Sequence, residues 1–329
     1  MNKVLITGGT GFIGSRLALH CRRAGHEVVA LGQTNTPAEQ DNKGLLERDG
    51  VEVDLVPMDD RGRLARRVEG SDFVFHLAAA QHEANVPDSH FRDVNVEGTR
   101  RLLDVCVDSG VRRFVHGSTI GVYGWQKGVI DETSRTEPDN IYGITKLEGE
   151  HLVMSYRDRL PVVAIRVSET YGPGDRRLLK LFRAIQKGMF FVIGSGRNLH
   201  HLVHVDDLIS GMLRACEVDG ARGEVFLLGG KRPLTTREMV DTIGTAVGRK
   251  VPRWRVPLFP FVAAAFVMEH LLAPMGIQPP LHRRRLDFFR KSFTLSSAKA
   301  ARILGYEPQV DFEQGAAETA AWYREQGLL

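Results

Sequence analysis

Apolar positions in the first half of the chain cluster in short runs, Val4–Thr7, Glu27–Leu31, Val51–Val56, Phe73–Leu77, Arg113–Gly117 and Val162–Val167. Between them lie segments with helical spacing, so the chain alternates strand and helix. Phe73-Val74-Phe75 is unbroken rather than alternating, as expected of a strand covered by helices on both faces. The rhythm predicts an α/β fold, a doubly wound parallel sheet, over residues 1–168. After Ser168 the pattern loosens: Tyr171-Gly172-Pro173-Gly174 predicts a turn and Leu178–Gln186 a helix. The segment from Phe191 to Leu228 regains strand character, and about residues 190–228 are expected to return to the sheet. From about Thr235 the pattern is mostly helical, so 169–329 is expected to form a smaller substrate-binding part.

Composition narrows the function classes. With 329 residues, 43% hydrophobic and 26% charged, the chain reads as globular, which excludes a disordered or fibrous protein. Net charge is +4, with Lys and Arg scattered among 40 acids, so no nucleic-acid partner is expected. Cys21, Cys106 and Cys216 are far apart and form no CxxC pair, which points to a reducing cytoplasm and to no metal site. The residues before Val4 lack the basic, apolar and small-residue pattern of a leader, so no secretory signal is expected. The longest apolar stretch, Val256–Met268, is broken by Pro257 and Pro260 and is short of the about 20 residues a membrane span needs. It reads first as a core helix. The alternatives are an apolar substrate wall and an interfacial membrane contact aided by Arg283-Arg284-Arg285.

The first strand runs directly into Thr7-Gly8-Gly9-Thr10-Gly11-Phe12-Ile13-Gly14 and then into a helical pattern. Glycines here let the backbone turn tightly and approach a pyrophosphate, which then sits on the free amides and positive end of the helix. Gly8, Gly11, Phe12, Ile13 and Gly14 are therefore candidate cofactor contacts in a Rossmann-type domain. An acid at the end of the second strand would hold the ribose hydroxyls and select NAD. Gly32 occupies that place, followed by Gln33, Thr34 and Asn35. No carboxylate opposes a 2′-phosphate and no arginine awaits one, so the expected cofactor is NAD(P), with the balance tipped toward NADP.

Tyr142 and Lys146 stand four apart on a helical stretch and share a face. Upstream, Ser118 and Thr119 follow the strand Arg113–Gly117, at the carboxyl end where open α/β sheets bind ligands. Taking a proton from a secondary alcohol near neutral pH needs a base, and a free phenol has a pKa of about 10. A cation about 4 Å away supplies roughly 4 kcal/mol at an effective dielectric of about 20, enough to lower the phenol by about three units. Lys146 is the expected cation. A hydroxyl such as that of Thr119 would hold the substrate oxygen.

These residues resemble the extended short-chain dehydrogenase/reductases, the NAD-dependent epimerase/dehydratase family. Asp59, His76-Leu77-Ala78-Ala79, Asn95-Val96-Glu97-Gly98-Thr99, Val122-Tyr123-Gly124, Tyr171-Gly172-Pro173-Gly174 and His204-Val205-Asp206-Asp207 extend the likeness over nearly the whole chain. The resemblance implies Tyr142 as acid/base, Lys146 on the nicotinamide ribose and Thr119 as the hydroxyl member, with Ser118 as its neighbour and second choice. It implies Asp59, with Asp60 beside it, near the adenine, and Leu77, Ala78 and Ala79 along the cofactor. Asn95 looks like the asparagine that supports the central strands, and a homodimer is implied.

Three departures bear on the substrate. Glu169 stands where nucleotide-sugar members carry a diphosphate-binding Asn, and His200 where they carry an Arg. Ile120 and Gly121 stand where sugar dehydratases carry Asp and Glu. The expected reaction is hydride transfer between a secondary alcohol or ketone and nicotinamide, on an apolar, hydroxysteroid-like small molecule. The alternatives are a nucleotide-sugar epimerase with retained NAD and a non-catalytic cofactor-sensing or assembly protein.

Overall fold

The six apolar runs and Val225–Leu228 pair into one parallel sheet in a computed structural model that describes all residues except 82–85, 255 and 273–285. Its strands are β1 Lys3–Thr7, β2 Glu27–Leu31, β3 Glu52–Asp54, β4 Phe73–His76, β5 Arg113–Thr119, β6 Val162–Val167 and β7 Val225–Leu228. The order is β7-β6-β5-β4-β1-β2-β3. It reverses direction between β1 and β4, and the crevice outside the carboxyl ends at such a point is where doubly wound sheets take ligands.

Alternate residues of each strand face opposite layers. On one face Ile6, Phe75 and Ile165 pack against Leu17 of α1 (Phe12–Arg23) and against Leu208 and Met212 of α8 (Val205–Glu217). On the other, Leu5, Val74 and Phe114 pack against Leu64 of α3 (Arg61–Val68), Leu102 of α5 (Thr99–Asp108) and Val153 of α6 (Ile141–Ser155). The remaining crossover helices are α2 (Pro37–Arg48) and α4 (Asp88–Arg92). A third apolar cluster joins Phe182 of α7 (Leu179–Gln186), Val240 of α9 (Thr236–Ala246) and Tyr323 of α12 (Phe312–Glu325). Two further helices among the described residues are α10 (Leu258–Leu272) and α11 (Ala298–Leu304).

The stretch with strand character between Phe191 and Leu228 is mostly something else. Only Leu199–His200, Leu202–His204 and β7 are strands, and α8 takes up its middle. The helix is favoured by His204, whose Nδ1 accepts from the Asp206 amide, and by Asp206 and Asp207 in the first turn, where the helix dipole favours carboxylates. The apolar stretch ending at Met268 is also not a core helix: Phe259 is 80% exposed and Val267 51%. Arg283, Arg284 and Arg285 lie outside the described residues. Among the described residues no helix is long and apolar enough to cross a membrane.

Candidate active site

Gly8 holds φ at +70°, and a Cβ there would lie 2.7 Å from the Ala78 amide nitrogen, so the turn after β1 passes against the end of β4 only because it lacks a side chain. Gly14 is equally constrained: a Cβ would fall 2.8 Å from the Gly8 carbonyl carbon. The helix behind this turn starts at Gly11 with no side-chain cap and no acidic residue in its first turn. Its first amides are therefore free for an anion. These features fit the pyrophosphate of a dinucleotide.

The turn opens into a cavity of about 640 Å³, within the usual range for ligand pockets. Of the residues singled out from sequence, its wall includes Gly8, Gly11, Phe12, Ile13, Gly14, Gly32, Gln33, Leu77, Ala78, Ala79, Ser118, Thr119, Tyr142 and Lys146. Asp59 and Asp60 are not on it. Asp59 is exposed, Asp60 caps α3 by accepting from the Arg63 amide, and the wall here is Val56 and Met58. At the far end Gly32 packs against Thr10, where a Cβ would come within 2.5 Å of the Thr10 Cγ2. The Gln33 amide donates to Thr10 Oγ1 at 3.0 Å, and Asn42 Nδ2 to the Thr10 carbonyl at 2.8 Å.

Sequence reasoning missed Arg176 and Arg177, which line the same cavity. They follow the Tyr171-Gly172-Pro173-Gly174 turn, whose positive-φ glycines at 172 and 174 fold the segment back over Phe12. That turn was the available signal. Arg176 reaches Asp41 on α2 at 2.7 Å, and Arg177 donates to the Thr170 carbonyl.

Tyr142 lies in the first turn of α6, whose N-terminus is capped by Asn140 accepting from the Gly143 amide. The Gly121 amide donates to Thr119 Oγ1 at 3.1 Å, which leaves the Thr119 hydroxyl to donate to the Tyr142 oxygen. Burial pushes the phenol up, opposed by that hydrogen bond and by the Arg177 charge. The expected depression of Tyr142 by Lys146 is therefore not present. Lys146 is 2% exposed, with Nζ 3.5 Å from His116 Nε2. Burial lowers the ammonium to about 8, and the Glu150 charge works the other way. Glu150, one turn further along the same helix, is the charge that favours the ammonium form of Lys146.

Ser118 has a different environment. Its hydroxyl donates to Glu150 Oε2 at 2.6 Å, and Arg166 closes on the same carboxylate, Nη2 to Oε1 at 2.6 Å. Arg166 also donates to the Tyr123 hydroxyl at 2.7 Å. Of the two adjacent hydroxyls, Thr119 faces Tyr142 and Ser118 is held in a buried ion-pair network. Glu150 and Arg166 went unremarked in the sequence because nothing local signals a pair 16 residues apart.

Asn95 sits in a π-helical turn, Asp93–Gly98, between α4 and α5. It accepts from the Ala80 amide at 2.8 Å and donates to Thr145 Oγ1 at 2.9 Å, tying the end of β4 to the residue before Lys146. His76 bridges Thr7 Oγ1 at 2.7 Å and Thr99 Oγ1 at 2.8 Å, and burial pushes it down to about 3, so it is a neutral framework residue. His200 lies within reach of Thr236 Oγ1 at 2.9 Å, and burial lowers it as well, so it offers no cation. No metal-binding cluster occurs among the described residues.

Residues 4–229 match the model of the NAD-dependent epimerase/dehydratase family. A 3-beta-hydroxysteroid dehydrogenase of Mycolicibacterium neoaurum is 30% identical over 98% of this chain and 92% of its own. A 3beta-hydroxysteroid-dehydrogenase/decarboxylase of Arabidopsis thaliana is 29% identical over 96% of this chain, which spans 61% of that protein's length. Among solved structures, DesIV, a dTDP-glucose 4,6-dehydratase from Streptomyces venezuelae with NAD bound, superposes with a TM-score of 0.77 at 30% identity, over 98% of this chain and 97% of its own. These relatives are enzymes. The glycine turn, the seven-stranded sheet and the match across residues 4–229 together place the chain in the NAD-dependent epimerase/dehydratase family.

Proposed function

We propose that this enzyme interconverts a secondary alcohol and a ketone, with Tyr142 as the acid/base. The observation that carries the reading is that Thr119 and Tyr142 stand together, with Lys146, on the wall of the cavity that the glycine turn opens into. Gly8, Gly11 and Gly14 would hold the pyrophosphate, and Leu77, Ala78 and Ala79 would flank the dinucleotide. When bound, the nicotinamide supplies or accepts the hydride. Tyr142 takes the hydroxyl proton in the oxidative direction, and Thr119 orients the substrate oxygen and stabilises the phenolate. Lys146 binds the ribose next to the nicotinamide. That brings fixed positive charge to the phenol's side of the cavity, against the effect of burial.

The substrate fits an apolar, hydroxysteroid-like molecule better than a diphosphate. Glu169 is on the wall, where its charge repels phosphate, and His200 is neutral. A nucleotide-sugar epimerase with retained NAD is the second reading, and Arg177 on the same wall favours it. For the cofactor, no carboxylate stands at Gly32 or Gln33 and Arg176 lines the cavity, so NADP is proposed over NAD.

Tyr142→Phe tests the assignment: turnover on an alcohol and ketone panel should fall by at least about 100-fold, with dinucleotide binding by fluorescence titration intact. Unchanged turnover would remove Tyr142 from the mechanism. Denaturing the purified enzyme separates the two reactions. Stoichiometric NAD released from it supports the epimerase, whereas empty protein that binds NADP(H) reversibly supports the dehydrogenase.

A further inference from the structure

Beyond the cavity, the apolar surface around α10 has no role in the site described above. Phe259 is 80% exposed, Trp254 60%, Met189 66% and Val267 51%. Phe259, Ala263 and Val267 are exposed at i, i+4 and i+8, so α10 turns an apolar stripe to solvent while Ala265 is buried on its other side. Phe191 stacks on Trp254 with centroids 5.4 Å apart and meets Phe261 at 6.2 Å, which joins the strip at 189–191 to the helix as one patch. A patch of this kind marks a surface with an apolar or interfacial partner.

Charge identifies the partner. No acidic residue occurs from Thr242 to Met268, and Arg249, Lys250 and Arg253 immediately precede the helix. All three are exposed, and they form no ion pair among the described residues. Arg249 lies against Gly188, where a Cβ would meet its Nη2 at 2.7 Å, so the cations border the same patch that Met189 and Trp254 open. Aromatic and aliphatic side chains at the level of the acyl boundary, with Arg and Lys reaching up to anionic headgroups, is the arrangement of an interfacial helix.

We propose that the patch formed by Met189, Trp254 and the Phe259–Val267 face of α10, with its collar of Arg249, Lys250 and Arg253, docks the enzyme onto an anionic lipid bilayer surface without spanning it. The inference does not depend on which alcohol the active site takes. The bilayer fits better than a second copy of the chain, because among the described side chains of the patch the collar has no acidic counterpart and two copies would set like charges together.

The test is co-sedimentation of the full-length enzyme with vesicles of phosphatidylcholine alone and of phosphatidylcholine containing about one third phosphatidylglycerol. Binding should require the anionic lipid and be released by high salt, which screens the attraction between exposed cations and a charged surface. The R249E/K250E/R253E variant should lose at least about tenfold in partition coefficient, and F259S/V267S should lose binding at low salt. Circular dichroism and dinucleotide binding check that both variants are folded. Failure of the wild-type enzyme to sediment with either vesicle overturns the proposal. So does equal binding to neutral and anionic vesicles, and so does a dimer by light scattering that F259S/V267S converts to monomer.

Discussion

Replacing Glu150 by Gln removes one charge from a pair that has almost no access to water. Glu150 is 1% exposed and Arg166 6%. The guanidinium contacts the carboxylate through Nε at 3.1 Å and through Nη2 at 2.6 Å, and Ser118 adds a third bond at 2.6 Å. Gln keeps the shape and one acceptor oxygen but leaves the buried guanidinium uncompensated. Breaking a buried pair in this way costs about 3–5 kcal/mol, and the retained acceptor places E150Q near the lower end, at about 3 kcal/mol. At about 2 °C per kcal/mol for a chain of this size, the melting temperature should drop by about 6 °C. Urea unfolding of E150Q, R166M and E150Q/R166M gives the coupling directly. The double variant removes both charges and should be more stable than the sum of the single losses by at least about 1.5 kcal/mol. A single E150Q loss under about 1 kcal/mol, or strict additivity in the double variant, would refute the claim that this pair is held together in a water-free interior.

Gly14→Ala pushes a methyl group into the turn at Gly8, so dinucleotide affinity should fall at least tenfold, about 1.4 kcal/mol, as read by loss of thermal protection; retained protection would mean that the turn can open. Asn95→Ala removes the bonds to the buried Ala80 amide and carbonyl and to Thr145 Oγ1, and denaturation should show a loss of roughly 2–4 kcal/mol. His76 takes up a proton below pH 6.5 when unfolded but only near about 3 when folded. Acid therefore favours the unfolded chain, and stability should fall by up to about 1.4 kcal/mol per pH unit below 6.5. Urea midpoints at pH 7, 6 and 5 should decline, and less steeply for His76→Asn; a flat series would contradict a neutral buried His76.

Much of the scaffold was legible from local pattern, because a parallel strand covered on both faces must be apolar throughout and a phosphate turn must be glycine-rich. The runs at β1, β2, β4 and β6 sit where the pattern places them, and Thr7 to Gly14 forms the turn its glycines require. Apolarity alone failed in two places. It gave no warning that His204 and two acids would start a helix at Val205, and it assigned to the core a helix whose Phe259 faces water. A hydrophobic count does not specify which face, if any, finds a partner.

The sequence by itself therefore determined the family, the sheet and the residue types that line the cofactor turn, since each depends on neighbours along the chain. The tertiary structure decided what depends on residues far apart. It separated Thr119, beside Tyr142, from Ser118, held by Glu150 and Arg166. It buried Lys146 beside His116, left Asp59 and Asp60 off the cavity wall, and brought Arg176 and Arg177 onto it. A titratable group's role is set by burial and by charges within a few ångströms, and packing chooses those neighbours rather than spacing along the chain.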